Sequence, residues 1–353
     1  MGKITTRFEK ILIIKLRHHG DMLLITPVVN TLKENFPDAE IDVLLYKETK
    51  PMLMNFASIA HIFPIDRQWK KEGAKAYVAH HWRLLKQLRN RNYDLVINLA
   101  DQWYSALVSQ LTSAATRIGF DFPKRQSLIW KACFTDLVST EGEENLHVVE
   151  QNLSALKPLN LSTINIDVTM SYSEENRQKV SDLLQSSGIN EKYIVIHPAS
   201  RWFFKCWDEE KISETINALQ ADGHAIVLTS GTEAREKEMV AKILSACSQE
   251  NIVSLAGQIT LPQLGALIDH AKLFIGVDSV PMHMAAALKT PCIALFGPSK
   301  LVFWRPWNAN GEVIWAGNYG KLPDPDGIDT KTDIRYLDLI PVDVVIEAAR
   351  RYL

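Results

Sequence analysis

The chain has few cysteines and no apolar run long enough to cross a bilayer. Four cysteines stand in 353 residues, Cys133, Cys206, Cys247 and Cys292, and no two form a C-x-x-C pair. That scatter argues against a zinc site and a disulfide framework, and leaves four thiols expected to be buried and idle. No stretch approaches the roughly 18 consecutive apolar residues of a membrane span. Met1 to Lys10 is polar and charged, without the apolar core or small-residue cleavage site of a secretory signal. The phosphate-binding fingerprints G-x-G-x-x-G and G-x-x-x-x-G-K-[ST] are missing too. A pI near 6.6 and the lack of a recognised binding motif leave no nucleic-acid partner expected.

What remains is an ordinary globular composition, with a length that suggests two domains. Charge is unevenly divided. Residues 1–160 hold 21 Lys and Arg against 17 Asp and Glu, and the remainder 18 against 24, so an anionic partner is expected on the first half.

Continuous β-branched and apolar runs recur along the chain. They are Ile11–Ile14, Ile41–Leu45, Leu95–Leu99, Tyr193–Ile196, Ala225–Leu228, Ile252–Leu255, Leu273–Gly276 and Cys292–Phe296. Runs without alternation indicate parallel strands buried on both faces. Between them lie helix signals. Thr26–Phe36 has apolar residues at helical spacing. Ser173 and Asp208 are placed as N-caps, Gly188 and Gly223 as stops. Thr260 to Gln263 reads as a capping box. Strand–helix alternation in two blocks gives an α/β chain of two doubly wound domains, meeting between residues 158 and 190. The domains are placed at 1–165 and 166–340, followed by a helix over 341–353 expected to pack back on the first domain. In such sheets, ligands bind at the carboxyl ends of the strands.

Chemistry-bearing residues gather at those ends. Arg17-His18-His19-Gly20-Asp21 follows the first strand; Gly20 is expected to permit a tight turn, and Asp21 either caps the next helix or accepts a proton from an attacking hydroxyl. His197-Pro-Ala-Ser200, then Arg201 and Lys205-Cys206-Trp207, place a hydroxyl and cations after a strand, as a phosphate cradle would; Lys205 could equally be a surface charge. Gly276-Val-Asp278-Ser279-Val280-Pro281-Met-His283 is a strand end and helix start, where Ser279 and backbone N–H groups suit a diphosphate. His283 is either part of that site or a buried structural histidine. Glu233 and Glu236 follow another strand end at Gly231, as nucleoside contacts or as acids that compensate a helix dipole. Residues 67–91 are densely basic, with Trp69, Tyr77 and Trp82 interleaved: a solvated helix face, or a surface for an anionic acceptor or acidic bilayer.

Taken in order, Gly20-Asp21 with Thr26-Pro27, Lys205-Cys206-Trp207, Gly276 through His283-Met-Ala-Ala, and Phe296-Gly297-Pro298-Ser299 resemble the ADP-heptose lipopolysaccharide heptosyltransferases, glycosyltransferase family 9. The resemblance spans essentially the whole chain. It implies a GT-B fold, two Rossmann-like domains with an interdomain cleft. It implies an inverting transfer of heptose from ADP-heptose to the inner core of lipopolysaccharide, with a heptosylated Kdo-lipid A acceptor and a branch heptose added to the second heptose.

By position, the resemblance makes Asp21 the general base, Lys205 and Ser200 the donor-phosphate contacts and Asp278 the donor-heptose contact. It puts Ser279, Val280 and His283 at the diphosphate, and Glu233 or Glu236 at the nucleoside. Arg17, His18, Lys70, Lys71 and Arg83 are assigned to the acceptor. No metal or other cofactor is implied. The implied location is the cytoplasm, in peripheral contact with the inner membrane. Two departures stand out: bulky Trp202, Phe203 and Phe204 stand where relatives often have polar residues, and the glycine that the family often has near Val280 is missing. A nucleotide-sugar epimerase of the same architecture and a non-catalytic lipopolysaccharide-binding module are the competing readings.

Overall fold

The computed structural model describes residues 7–353; residues 1–6, part of the polar amino-terminal stretch, lie outside the described residues. The chain divides into two units, one up to Thr169 and the other Met170–Leu353.

The first unit contains β1 (Lys10–Ile14), α1 (His19–Leu23), α2 (Thr26–Asn35), β2 (Glu40–Tyr46), β3 (His61–Ile65) and α3 (Ala74–Asn90). These are followed by β4 (Leu95–Asn98), α4 (Trp103–Leu111), β5 (Thr116–Asp121), α5 (Leu128–Ala132), β6 (Asp136–Ser139) and α6 (Val148–Ser154). Its six strands are all parallel, in the order β3-β2-β1-β4-β5-β6. Central β1 is buried on both faces: Ile11 to Ile14 expose nothing to solvent. Each such side chain contributes roughly 1.5–3 kcal/mol of burial, which is why the run has no polar face. Leu84 and Leu88 of α3 and Val108 of α4 close the core on one side.

The second unit holds α7 (Glu174–Ser186), β7 (Tyr193–His197), α8 (Glu209–Ala221), β8 (Ala225–Leu228), α9 (Ala234–Ser245) and β9 (Ile252–Ser254). After them come α10 (Leu261–Asp269), β10 (Leu273–Val277), α11 (Val280–Leu288), β11 (Cys292–Phe296), α12 (Leu301–Trp304), β12 (Gly311–Trp315) and α13 (Val342–Arg350). Its parallel order is β12-β11-β10-β7-β8-β9. The expected caps form: Ser173 accepts from Asn176 N–H, Asp208 from Glu210 and Lys211 N–H, and Thr260 with Gln263 makes the capping box. Gly188 and Gly223 take positive φ of 81° and 87° just past their helices, as left-handed stops do.

The last helix contributes to the core of the second unit: Val345, Ala348 and Ala349 of α13 sit in the core formed by β7, β8, β10 and β11, because its apolar stripe fits over α8. Two expectations are corrected. Gly20 supplies no special turn; it lies inside α1 and has no positive φ. Four strands were not anticipated, β3, β5, β6 and β12. Three of them are sheet edges, and β3 carries Pro64 and β5 carries Gly119, so their sequences lack the continuous apolar run of a central strand. All four cysteines are free and buried.

Candidate functional site

Each sheet reverses its winding direction once, and at such a break the flanking loops part to leave room for a ligand. In the first unit the break lies between β1 and β4, and in the second between β7 and β10.

At the first break, β1 is followed by Lys15 and leads through Arg17-His18 into α1. Asp21 is buried at 9% exposure, on the third residue of that helix rather than before it. Its Oδ2 accepts from His18 N–H at 3.3 Å, so it closes the helix end from within, by a bond at the long limit for such geometry. Across the break, Arg17 reaches Asp101 after β4 at 3.5 Å, and Asp101 also pairs with Lys124. His19 Nε2 lies 2.9 Å from the Glu48 carbonyl, and Glu48 pairs with Arg67 at the start of the turn that carries Lys70 and Lys71. Arg17, His18, Lys70, Lys71 and Arg83 are all exposed; Arg83 stands well along α3, away from the strand end.

One residue here is not among the expected ones. Lys15 is buried, and its Nζ donates to Asn152 Oδ1 at 2.9 Å, while Asn152 donates to the Leu24 carbonyl at 2.9 Å. Burial pushes the Lys15 ammonium below its ordinary pKa, and the nearby Asp21 carboxylate pulls it back up. A lysine directly after four fully buried strand residues was the available signal.

At the second break, His197 of β7 stands in register with Gly276 of β10. The two strands deliver Lys205 and Asp278 to one place: Nζ lies 2.5 Å from Oδ2, with side-chain exposures of 13% and 6%. Beside Asp278, Ser279 donates its hydroxyl to the Val277 carbonyl at 3.2 Å and makes no side-chain bond to the first turn of α11. That turn, starting with half-buried Val280 and including buried His283, therefore presents N–H groups that Ser279 does not cap. Ser200 is buried, its N–H directed at Cys206 Sγ at 3.3 Å. The bulky loop forms a shelf: Trp202 stacks on Phe204 with ring centroids 6.1 Å apart, and Lys205 Nζ sits 4.9 Å from the Trp202 ring centroid.

The two acids after β8 differ. Glu233 is exposed at the N-cap of α9 without a side-chain cap bond. Glu236 is buried, and its Oε2 accepts from Gly231 N–H at 2.7 Å. A Cβ on Gly231 would stand 2.6 Å from that oxygen, so glycine is needed for the close approach and not for a turn. Burial raises the Glu236 pKa, partly offset by the Gly231 bond. His197 is held 2.9 Å from the Thr229 hydroxyl, and burial lowers its pKa to about 4, which keeps it neutral.

The expectation that the sequence holds no D-x-D metal motif is corrected: Asp324-Pro325-Asp326 is one. Its carboxylates are used otherwise: Asp324 caps a turn and Asp326 pairs with Lys300 at 2.6 Å. Among the described residues no group of three or more His, Cys, Asp or Glu could hold a metal ion.

The model of glycosyltransferase family 9 (heptosyltransferase) matches residues 81–332. The chain belongs to glycosyltransferase family 9. This heptosyltransferase-family chain is 46% identical to lipopolysaccharide heptosyltransferase 3 of Escherichia coli K12 over 338 residues, 96% of each chain. The family 9 glycosyltransferase structure from Veillonella parvula superposes with a TM-score of 0.84 at 21% identity, covering 99% of this chain and 98% of that one. E. coli heptosyltransferase WaaC with ADP gives 0.76 at 20% identity, covering 98% and 100%. The fold of this glycosyltransferase is thus of the GT-B type, with two parallel six-stranded sheets.

Proposed function

We propose that this glycosyltransferase moves L-glycero-D-manno-heptose from ADP-heptose to the lipopolysaccharide inner core, adding a branch heptose to the second heptose of a heptosylated Kdo-lipid A acceptor. The observation that carries the reading is the Lys205–Asp278 pair beside the amino end of α11. It combines a fixed cation and outward N–H groups for a diphosphate with a carboxylate for sugar hydroxyls. The 46% identity to a heptosyltransferase 3 supports the choice of acceptor.

The reaction is a single displacement with inversion. Asp21 takes the proton of the acceptor hydroxyl as its oxygen forms the bond to the anomeric carbon. The bond from that carbon to the diphosphate breaks, and ADP leaves with the electron pair. Lys205 and the first-turn N–H groups of α11 meet the developing charge, so no metal is required for it. Asp278 stabilises positive charge on the sugar ring. Ser200, Ser279, Val280 and His283 bound the phosphate site, and Glu236, rather than exposed Glu233, holds the nucleoside. Arg17, His18, Lys70, Lys71 and Arg83 are offered to the anionic acceptor. The enzyme works in the cytoplasm, in peripheral contact with the inner membrane that carries its acceptor; no helix among the described residues is long and apolar enough to cross it.

The test is incubation with ADP-heptose and a purified inner core bearing two heptoses. ADP release and a product one heptose heavier are expected, undiminished by a chelator of divalent ions. Conversion of the sugar nucleotide without acceptor would make the protein an epimerase. Acceptor binding without ADP binding would make it a non-catalytic module.

A further inference from the structure

On one side of the first unit's sheet, α3, α4 and α5 pack side by side. His81 Nδ1 meets the Tyr104 hydroxyl at 2.7 Å, Arg89 donates to the Leu111 carbonyl at 3.3 Å, and Trp103 stands edge-on to Trp130 at 5.5 Å. Their inner residues, such as Leu88, Val108 and Trp130, are buried as an amphipathic layer requires. Their outer faces are not polar in the ordinary way. Val78 and Trp82 project from α3, Leu107 and Leu111 from α4, and Leu128 and Ile129 from α5, with Leu128 84% and Trp82 71% exposed. Of ten large apolar side chains exposed among the described residues up to Thr169, seven lie on these three helices. Scattered apolar residues need no explanation, but a contiguous set on neighbouring helices marks an interaction surface.

Charge identifies the partner. Residues 67–132 hold twelve Lys and Arg against four Asp and Glu, in a chain whose totals are 39 and 41. Exposed Lys75, Arg83 and Lys86 interleave with Val78 and Trp82 on α3; half-buried Lys131, which pairs with Asp121 at 3.7 Å, follows Ile129 on α5. Apolar tips set among cations match a bilayer with anionic headgroups: the tips enter the interfacial layer and the cations meet phosphates. The surface also runs up to the edge that carries Asp21. Arg125 lies 5.7 Å from the Trp103 ring centroid and donates to the Asp101 carbonyl, and Asp101 pairs with Arg17.

We propose that the outer face of α3, α4 and α5 docks on an anionic lipid bilayer. The inference rests on the membrane contact proposed above and assigns it to named side chains, and its test needs no transfer of sugar. The full chain is sedimented with vesicles of phosphatidylcholine alone or mixed with phosphatidylglycerol. Binding to the mixed vesicles is expected, falling as salt rises, with little binding to the neutral ones. Leu128→Ser with Ile129→Ser is expected to weaken that binding at least about tenfold. Lys75→Glu with Lys86→Glu removes the preference for anionic lipid. Both variants keep the wild-type circular dichroism and transfer to a soluble truncated acceptor. Unchanged vesicle binding in the serine variant overturns the proposal, as does equal binding to both lipid mixtures. A wild-type dimer that the serine variant converts to monomer, without vesicle binding by either, also overturns it and gives the face to a second copy. Vesicle binding by a chain inactive in heptose transfer would refute the proposed function and leave this inference standing.

Discussion

Lys205 and Asp278 come from opposite sides of the break in the second sheet, and their side chains meet at 2.5 Å. An ammonium with one carboxylate partner keeps donors for a second anion, so a diphosphate can join the pair without displacing it. Lys205→Met is expected to lower kcat/KM for the donor at least ~100-fold, the loss of ~3 kcal/mol of transition-state stabilisation. Asp278→Asn is expected to lower it too, and the double variant should lose less than the two losses combined, because each single change leaves a shielded charge unpaired. Steady-state rates of ADP release on the four proteins check this.

Trp202 positions Lys205 through its ring face and is itself stacked on Phe204. Trp202→Ala is expected to raise the donor KM several-fold, and Trp202→Phe should restore most of the loss, since another aromatic face can hold the ammonium. Equal KM values for the alanine and phenylalanine variants would remove the shelf from donor binding.

Gly231 and Glu236 form a matched pair. Gly231→Ala puts a methyl against the end of a flexible side chain, so the carboxylate shifts while the backbone stays. ADP affinity, read by calorimetry, is expected to fall by a similar factor in Gly231→Ala and Glu236→Ala, while Glu233→Ala binds ADP as wild type does. The melting temperature of Gly231→Ala should stay near that of the parent.

His197 makes stability depend on pH. Its pKa is lowered to about 4 in the folded chain, against roughly 6.5 when unfolded, so between those values the unfolded chain binds more protons. Its contribution is full above pH ~6.5 and is lost as pH falls toward 4, by about 3 kcal/mol in all. Denaturant midpoints should therefore drop through this window, and His197→Asn should flatten the drop. A midpoint that rises on acidification would contradict the burial of this ring.

The central strands and the loops after them were legible because a strand buried on both faces is mostly apolar, with only a few hydrogen-bonded polar residues such as Asp42, so a charge after an apolar run marks its end. Ile11–Ile14 followed by Lys15 and Asp21, and Leu273–Val277 followed by Asp278, are two such cases. Edge strands β3, β6 and β12 lack that constraint and were missed. Gly20 and Gly231 both suggested turns from composition alone. One lies in a helix and the other makes room for a carboxylate, a distinction that depends on neighbours distant in sequence or on backbone angles. The apolar stripe of α13 was readable, but not the surface it covers, which α8 and the second sheet decide. The Trp202–Phe204 shelf looked like a departure from the family pattern; only the fold places Lys205 against it.

The most direct measurement is the transfer rate of Asp21→Asn under saturating donor and acceptor. The substitution keeps size and polarity but removes the capacity to take a proton. Turnover is expected to fall at least ~100-fold, with ADP affinity and melting temperature near the parental values. A variant that transfers heptose at close to the parental rate would contradict the assignment of Asp21 as the base.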